Sequence, residues 1–224
     1  RDRFRGLHVL VDDDPRWGRD PVEQARAACA GGATVIQLRA KHATDRDVLA
    51  WARTIRALTR AAGRAFVLND RLDLALLSDA DAVHLGQEDL PPAAIPSELR
   101  ARVAVGRSTH TRAQLETARS EDLDYVAFGP VFGTTSKASA YEARGLDALR
   151  EAARLAAPRP LIAIGGITAA HLPSLREVGV AGIAVISVVA AASDSVAATR
   201  ALVAGFSARP GDAGGPRDVR GGPT

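Results

Sequence analysis

Short apolar runs recur along the chain, and clusters of polar residues close most of them. The runs fall near residues 6–11, 34–38, 65–69, 82–85, 102–106, 124–128, 160–164 and 182–186. They are mostly aliphatic, without a strict polar alternation, as in strands covered on both faces. Between them lie longer stretches rich in Ala, Leu, Arg and Glu, the best at 20–30, 44–62, 111–119, 145–157, 168–178 and 193–206. Segments 71–78 and 91–100 are shorter, and prolines at 91, 92 and 96 interrupt the second. Strand and helix signals therefore alternate from end to end, which predicts an α/β fold with a parallel sheet.

Eight such units in about 210 residues suit a (β/α)8 TIM barrel. A doubly wound open sheet is the alternative. The barrel is preferred because strand-end polar residues follow many strands, whereas an open sheet gathers them at one switch point. Helix boundaries are signalled by Thr44 with Asp47 three residues on, by Gly63 after the second long stretch, and by Thr168 after a Gly-Gly pair. One catalytic domain is expected over 1–206. The tail 207–224, with five Gly and three Pro and no apolar period, is expected to be disordered.

The chemistry sits at the strand ends. Gln37, Arg39 and Lys41 occupy alternate positions of one strand end and so share a face. An amide and two cations in that arrangement fit a pyrophosphate. Asn69-Asp70 closes the third run and Asp89 follows the fourth; two carboxylates and an amide oxygen make an all-oxygen site suited to Mg²⁺. Helix capping by the same two aspartates is the competing explanation. Gly106-Arg-Ser-Thr-His110 follows the fifth run, offering the Ser108 hydroxyl and the His110 imidazole. Gly129-Pro-Val-Phe-Gly-Thr-Thr-Ser-Lys137 follows the sixth, a glycine- and hydroxyl-rich loop with one lysine. Gly165-Gly166 and Ile186-Ser187 close the last two runs, where backbone amides form the phosphate cup of many barrels.

Composition narrows the picture. Hydrophobic residues make up 46% of the 224, and aromatic ones only 4%, so the core is aliphatic. Net charge is +3, but the arginines are scattered among Ala and Glu and form no stripe with interleaved aromatics, which argues against nucleic acid. No apolar run is long enough to span a bilayer, and Arg1-Asp-Arg-Phe opens the chain without an apolar signal region. Met is absent, which leaves the native start open. Cys29 stands alone, which favours a reducing, cytoplasmic setting and a small buried side chain. The expected partners are small-molecule substrates. The number of copies is left open, with a homo-oligomer allowed.

Taken in order, Q-L-R-A-K, N-D, H-L-G-Q-E-D-L, G-R-S-T-H-T, G-P-V-F-x-T-x-S-K, I-G-G-I and V-I-S make the chain resemble the thiamine phosphate synthase family from about Leu7 to Phe206. The resemblance implies condensation of 4-amino-2-methyl-5-(diphosphooxymethyl)pyrimidine with hydroxyethylthiazole phosphate, releasing pyrophosphate by a dissociative route. It implies that Gln37, Arg39, Lys41, Asn69, Ser108 and Lys137 contact the pyrimidine pyrophosphate, and that Asp70 and Asp89 hold Mg²⁺. It further implies that Thr134, Thr135, Ser136, Gly166, Ile186 and Ser187 contact the thiazole phosphate. Arg39, Lys41, Ser108 and Lys137 would be the catalytic group. Two departures stand out: Ser136 occupies a place where the family commonly has Thr, and Ala138-Ser-Ala-Tyr replaces a more polar run. A thiazole tautomerase of similar fold is the alternative, with His110 as its base. It has no need of the pyrophosphate residues.

Overall fold

The computed structural model describes residues 2–133 and 141–208. Eight parallel strands close into a barrel in chain order: β1 (Gly6–Asp12), β2 (Val35–Arg39), β3 (Ala65–Asn69), β4 (Ala82–Leu85), β5 (Ala104–Thr109), β6 (Tyr125–Phe128), β7 (Leu161–Ile164) and β8 (Gly182–Val185). β8 pairs back onto β1, with Gly6 opposite Gly182, so no sheet edge remains. The barrel expectation is correct.

Around it run α1 (Pro21–Gly31), α2 (Asp45–Ala61), α3 (Leu72–Leu77), α4 (Ser97–Arg100), α5 (Arg112–Ser120), α6 (Gly145–Ala156), α7 (Leu172–Val178), α8 (Ser187–Ala190) and α9 (Ser195–Ser207). Their starts follow local chemistry. The Asp20 carboxylate accepts from the Val22 and Glu23 amides, both at 2.8 Å, ahead of Pro21. Thr44, Thr111 and Asp194 cap α2, α5 and α9 in the same way. α2 buries Val48, Ala52, Ile55 and Thr59, the i, i+4, i+7, i+11 stripe of an amphipathic helix laid on the barrel. α9 runs one residue past the expected domain limit of 206, because the Ala208 amide still closes its last turn on the Ala204 carbonyl. The tail reading for 209–224 lies outside the described residues.

Strand side chains alternate between two cores. Leu7, Val9, Val11, Ile36, Leu38, Phe66, Leu68, Val83 and Leu85 face outward and pack under the helices. Leu10, Val35, Ala65, Val67, Ala82, Tyr125, Ala127, Ile162 and Ala184 fill the barrel interior, with Phe4 beneath them. Fully burying one of the larger aliphatic side chains contributes roughly 1.5–3 kcal/mol. The same parity decides which polar residues reach the interior. On β1 to β5 the inward series ends in Asp12, Gln37 and Arg39, Asn69, His84 and Ser108, all toward the carboxyl ends of their strands.

Candidate active site

The strand-end cluster forms on β2 and its neighbours. Gln37 is buried, and its amide nitrogen donates to the Asn69 amide oxygen across β2–β3 at 2.8 Å. Arg39 reaches the Asp12 carboxylate, which is 1% exposed at the end of β1. The Lys41 ammonium reaches Asp70. The structure thus brings Gln37, Arg39 and Lys41 to one mouth, as the alternation predicts, but each cation is already matched by a carboxylate. Asp13 adds a third negative group: its carboxylate accepts from the amides of Lys41, His42 and Ala43, all at 2.8 Å. Burial pushes Asp13 up, yet those three amides outweigh it and hold the carboxyl below its ordinary value.

Neither Asp70 nor Asp89 caps a helix. The residue ahead of α3 is Arg71, which makes no side-chain cap, and Asp89 Oδ2 accepts from the Gly86 amide at 2.6 Å in the loop after β4. Asp70 sits at φ +65°, a left-handed conformation that costs a non-glycine residue about 1–2 kcal/mol. Strain of that kind gathers at functional positions. The two carboxyls interact directly. Burial raises Asp70, but the Lys41 ammonium and the Asp89 carboxyl outweigh it and leave its pKa lowered. For Asp89, burial together with the neighbouring Asp70 outweighs the Gly86 amide, and its pKa is raised. Two close carboxyls resist ionising together, and a hard cation held by both would remove that conflict. Among the described residues no group of three His, Cys, Asp or Glu side chains is placed to hold a metal ion. Asp70 and Asp89 are the pair that could hold a cation here.

Ser108 requires a correction. The sequence reading ends the fifth strand at Gly106 and puts Ser108 in the following loop. β5 runs on to Thr109, because pairing with β6 continues to Thr109 opposite Phe128. Ser108 is thus a strand side chain inside the barrel. Its hydroxyl meets His84 Nε2 at 2.8 Å, and its carbonyl accepts from the Gln87 amide at 2.5 Å. His110 is committed elsewhere: Nδ1 donates to the Gly129 carbonyl at 2.7 Å, and the ring stacks on Tyr141 at 4.2 Å.

On the opposite side of the mouth, Gly165 and Gly166 take φ of +104° and +62°. The Gly165 carbonyl accepts from the Phe132 amide at 3.0 Å, so the glycine turn packs against the base of the loop after β6. A Cβ on Gly166 would overlap the Gly133 carbonyl. Gly166 is therefore required first by the neighbouring loop, a reason its sequence context does not show. Ile186, buried, and Ser187, half-buried, join β8 to α8. Thr134, Thr135, Ser136 and Lys137 lie outside the described residues.

Sequence reasoning missed Asp12, Asp13 and His84. The aspartates carry the same signal as the other strand ends, an apolar run closed by polar residues at Val9-Leu-Val-Asp-Asp13. His84 lies within a motif already singled out, two residues from Gly86 on the inward face.

A closed (β/α)8 barrel with paired carboxylates, cations, an amide and a hydroxyl at the carboxyl ends of β1 to β5 is the framework of a barrel enzyme. The family described as "Thiamine monophosphate synthase" matches residues 7–189, and the chain belongs to it. It is 46% identical over 209 residues to the thiamine-phosphate synthase of Anaeromyxobacter dehalogenans (strain 2CP-C), covering 93% of this chain and 90% of that protein. It is 44% identical over 196 residues to the thiamine-phosphate synthase of Methanoculleus marisnigri, covering 88% of this chain and 92% of the other. The solved thiamine phosphate pyrophosphorylase from Pyrococcus furiosus superposes with a TM-score of 0.81 at 35% identity, covering 92% and 96% of the two chains.

Proposed function

We propose that the chain acts as its family does, as a thiamine-phosphate synthase, through the strand-end cluster of β1 to β5. The substrates would be 4-amino-2-methyl-5-(diphosphooxymethyl)pyrimidine and hydroxyethylthiazole phosphate. The products would be thiamine phosphate and pyrophosphate, which makes the enzyme a transferase. The observation that carries this reading is the convergence of Gln37, Arg39, Lys41, Asn69, Asp70, Asp89 and Ser108 from β2 to β5 and the loops beyond them.

Charge balance supports a metal at Asp70 and Asp89. The described mouth holds four carboxylates, Asp12, Asp13, Asp70 and Asp89, against two cations, Arg39 and Lys41. Such a site repels a pyrophosphate unless a cation enters with it. Mg²⁺ fits the oxygen-only donors and, when bound, would neutralise charge on the leaving pyrophosphate. Lys41, which lies against Asp70, would supply a positive charge to the phosphate oxygens. Arg39 stays aligned by Asp12, with its fork presented in a fixed orientation. Gln37 and Asn69, tied to each other, offer the remaining amide groups to the pyrimidine end. Lys137 would add a further cation from the loop after β6.

The reaction then needs little covalent chemistry from the protein. The C–O bond at the pyrimidine methylene breaks with its electron pair going to pyrophosphate. The thiazole nitrogen donates its pair to the resulting cation, forming the C–N bond. Gly166, Ile186, Ser187 and the hydroxyls of 134–136 would hold the thiazole phosphate across the mouth, fixing the nucleophile in line. Both substrates are anionic and membrane-impermeant, so the enzyme would work in the compartment that makes them, which supports a cytoplasmic setting. Among the described residues no helix is long and apolar enough to cross a membrane. Incubation with both heterocycles and Mg²⁺, followed by mass spectrometry, tests the proposal. Thiamine phosphate and an equal amount of pyrophosphate are expected. Failure to form either one with both substrates present would overturn it.

A further inference from the structure

Tyr125 is fully buried inside the barrel, and its ring lies over Phe4 with centroids 5.0 Å apart. Space for it comes from Gly106 on the adjoining strand, where any Cβ would overlap the phenol ring. The phenol oxygen lies 3.0 Å from His84 Nδ1, and His84 Nε2 lies 2.8 Å from the Ser108 hydroxyl. Three side chains from β6, β4 and β5 thus form one line, from the middle of the barrel to its mouth.

The direction of the hydrogen bonds along this line follows from satisfying buried groups. A buried phenol O–H must donate, because an unmade donor bond in a dry interior costs about 1–3 kcal/mol. Among the described residues, His84 Nδ1 lies within hydrogen-bond distance of the Tyr125 hydroxyl. Burial, the larger cause, and nearby Asp124 push the Tyr125 pKa up, which keeps the proton on oxygen. Nδ1 is therefore the acceptor, and in a neutral imidazole the proton then lies on Nε2. Nε2 donates to Ser108, and the Ser108 O–H is left to point away from His84 into the mouth.

We infer that Tyr125 and His84 are positioning residues that turn the Ser108 hydroxyl into a dedicated donor toward the anionic pyrimidine pyrophosphate. The opposite tautomer would make Ser108 donate to His84 and present lone pairs to an anion, which repels it. The inference rests on Ser108 touching that substrate, as proposed above, and goes beyond it by assigning what aims the hydroxyl.

The test has a spectroscopic and a kinetic arm. In the ¹⁵N spectrum of histidine-labelled enzyme, His84 should show the Nε2–H tautomer, and Tyr125→Phe should release it to a mixture. Kinetically, Tyr125→Phe keeps the ring and should lower kcat/KM for the pyrimidine pyrophosphate about fivefold, the size of one hydrogen bond. KM for the thiazole phosphate should not move. His84→Gln, which can keep an N–H near the Nε2 position, should retain more activity than His84→Phe. In a Ser108→Ala background, Tyr125→Phe should have no further effect, whereas a merely structural role for Tyr125 would add its full cost. An Nδ1–H tautomer in the wild type, or additive losses in the double variant, would overturn the inference. If Ser108→Ala alone has wild-type kinetics while the tautomer is as expected, it is the substrate contact that fails and not the geometry of the line.

Discussion

His8 should decide how this barrel fails in acid. It lies on β1 inside the barrel, fully buried, with Nε2 donating to the Phe4 carbonyl at 2.7 Å and its ring 5.7 Å from that of Tyr125. Burial pushes its pKa from 6.5 down to about 4, outweighing the Phe4 carbonyl that favours the charged ring. In the unfolded chain the same imidazole takes up a proton near 6.5. Between these values the unfolded state binds more protons, so stability rises with pH. The contribution is fully present above about 6.5 and is lost as pH falls toward 4. The gap of about 2.5 units corresponds to about 3 kcal/mol, a large share of a typical domain's 5–15 kcal/mol. His8→Gln removes the titration and keeps a donor for the Phe4 carbonyl. Urea unfolding between pH 7.5 and about 4, followed by the fluorescence of Trp17 and Trp51, measures both proteins. The variant starts lower at neutral pH, through imperfect packing, but its stability should fall by about 3 kcal/mol less across the range. Parallel curves would refute the reasoning, because they would mean that His8 protonates without cost in the folded state.

The mouth and the scaffold give further expectations. Asp70→Asn or Asp89→Asn should lower turnover at least tenfold, about 1.4 kcal/mol or more, and raise the Mg²⁺ concentration for half-maximal rate; unchanged metal dependence would remove the carboxylates from the metal site. Asp12→Ala leaves the Arg39 guanidinium without its buried partner and should cost about 3–5 kcal/mol of stability, read by thermal unfolding. Gly166→Ala, because its Cβ meets the Gly133 carbonyl, should disturb the loop after β6 and raise KM for both substrates; an effect confined to the thiazole phosphate would show that the glycine serves the cup alone. Asp81→Ala removes a carboxylate that accepts from the Phe66 amide at 2.8 Å and from Arg56 at 2.9 Å, and should destabilise by about 3 kcal/mol while leaving the KM values unchanged.

Most of the architecture was legible because the signal is repeated. Eight buried aliphatic runs, each followed by a helical period, admit few closed arrangements. Seven strands fell within about a residue of their observed limits. β5 was misplaced toward the amino end because Arg107, Ser108 and Thr109 read as a polar loop. In the fold Arg107 faces outward toward Glu121, Thr109 donates to the Ala127 carbonyl at 2.8 Å, and Ser108 meets His84. Tertiary partners make strand residues of them, and no local propensity encodes that. Site residues were legible as types but not as pairs. The alternation at 37, 39 and 41 puts three side chains on one face, yet only the structure shows Asp12 against Arg39 and Asp70 against Lys41. The partner aspartates lie 27 and 29 residues away, on neighbouring strand ends, beyond the reach of any pattern within one element.

The barrel interior links stability to chemistry through one side chain. Phe4 and His8 reach Tyr125 from the amino end of the barrel, and His84 and Ser108 continue from Tyr125 to the carboxyl end. An all-aliphatic filling would avoid every buried polar group on this path and would be the more stable choice by packing alone. The chain instead places two imidazoles and a phenol there, keeps Gly106 bare so that the phenol fits, and gives His8 Nε2, the Tyr125 hydroxyl and both His84 nitrogens a partner. His8 and His84 therefore differ in role although both touch the Tyr125 ring. The amino-end histidine donates to a backbone carbonyl and bears only on folding. The carboxyl-end histidine takes its proton arrangement from the phenol and delivers it to the one hydroxyl of the path that faces the mouth. Removing the Tyr125 hydroxyl should leave the acid unfolding set by His8 in place and change the kinetics, which separates the two ends of the same column by measurement.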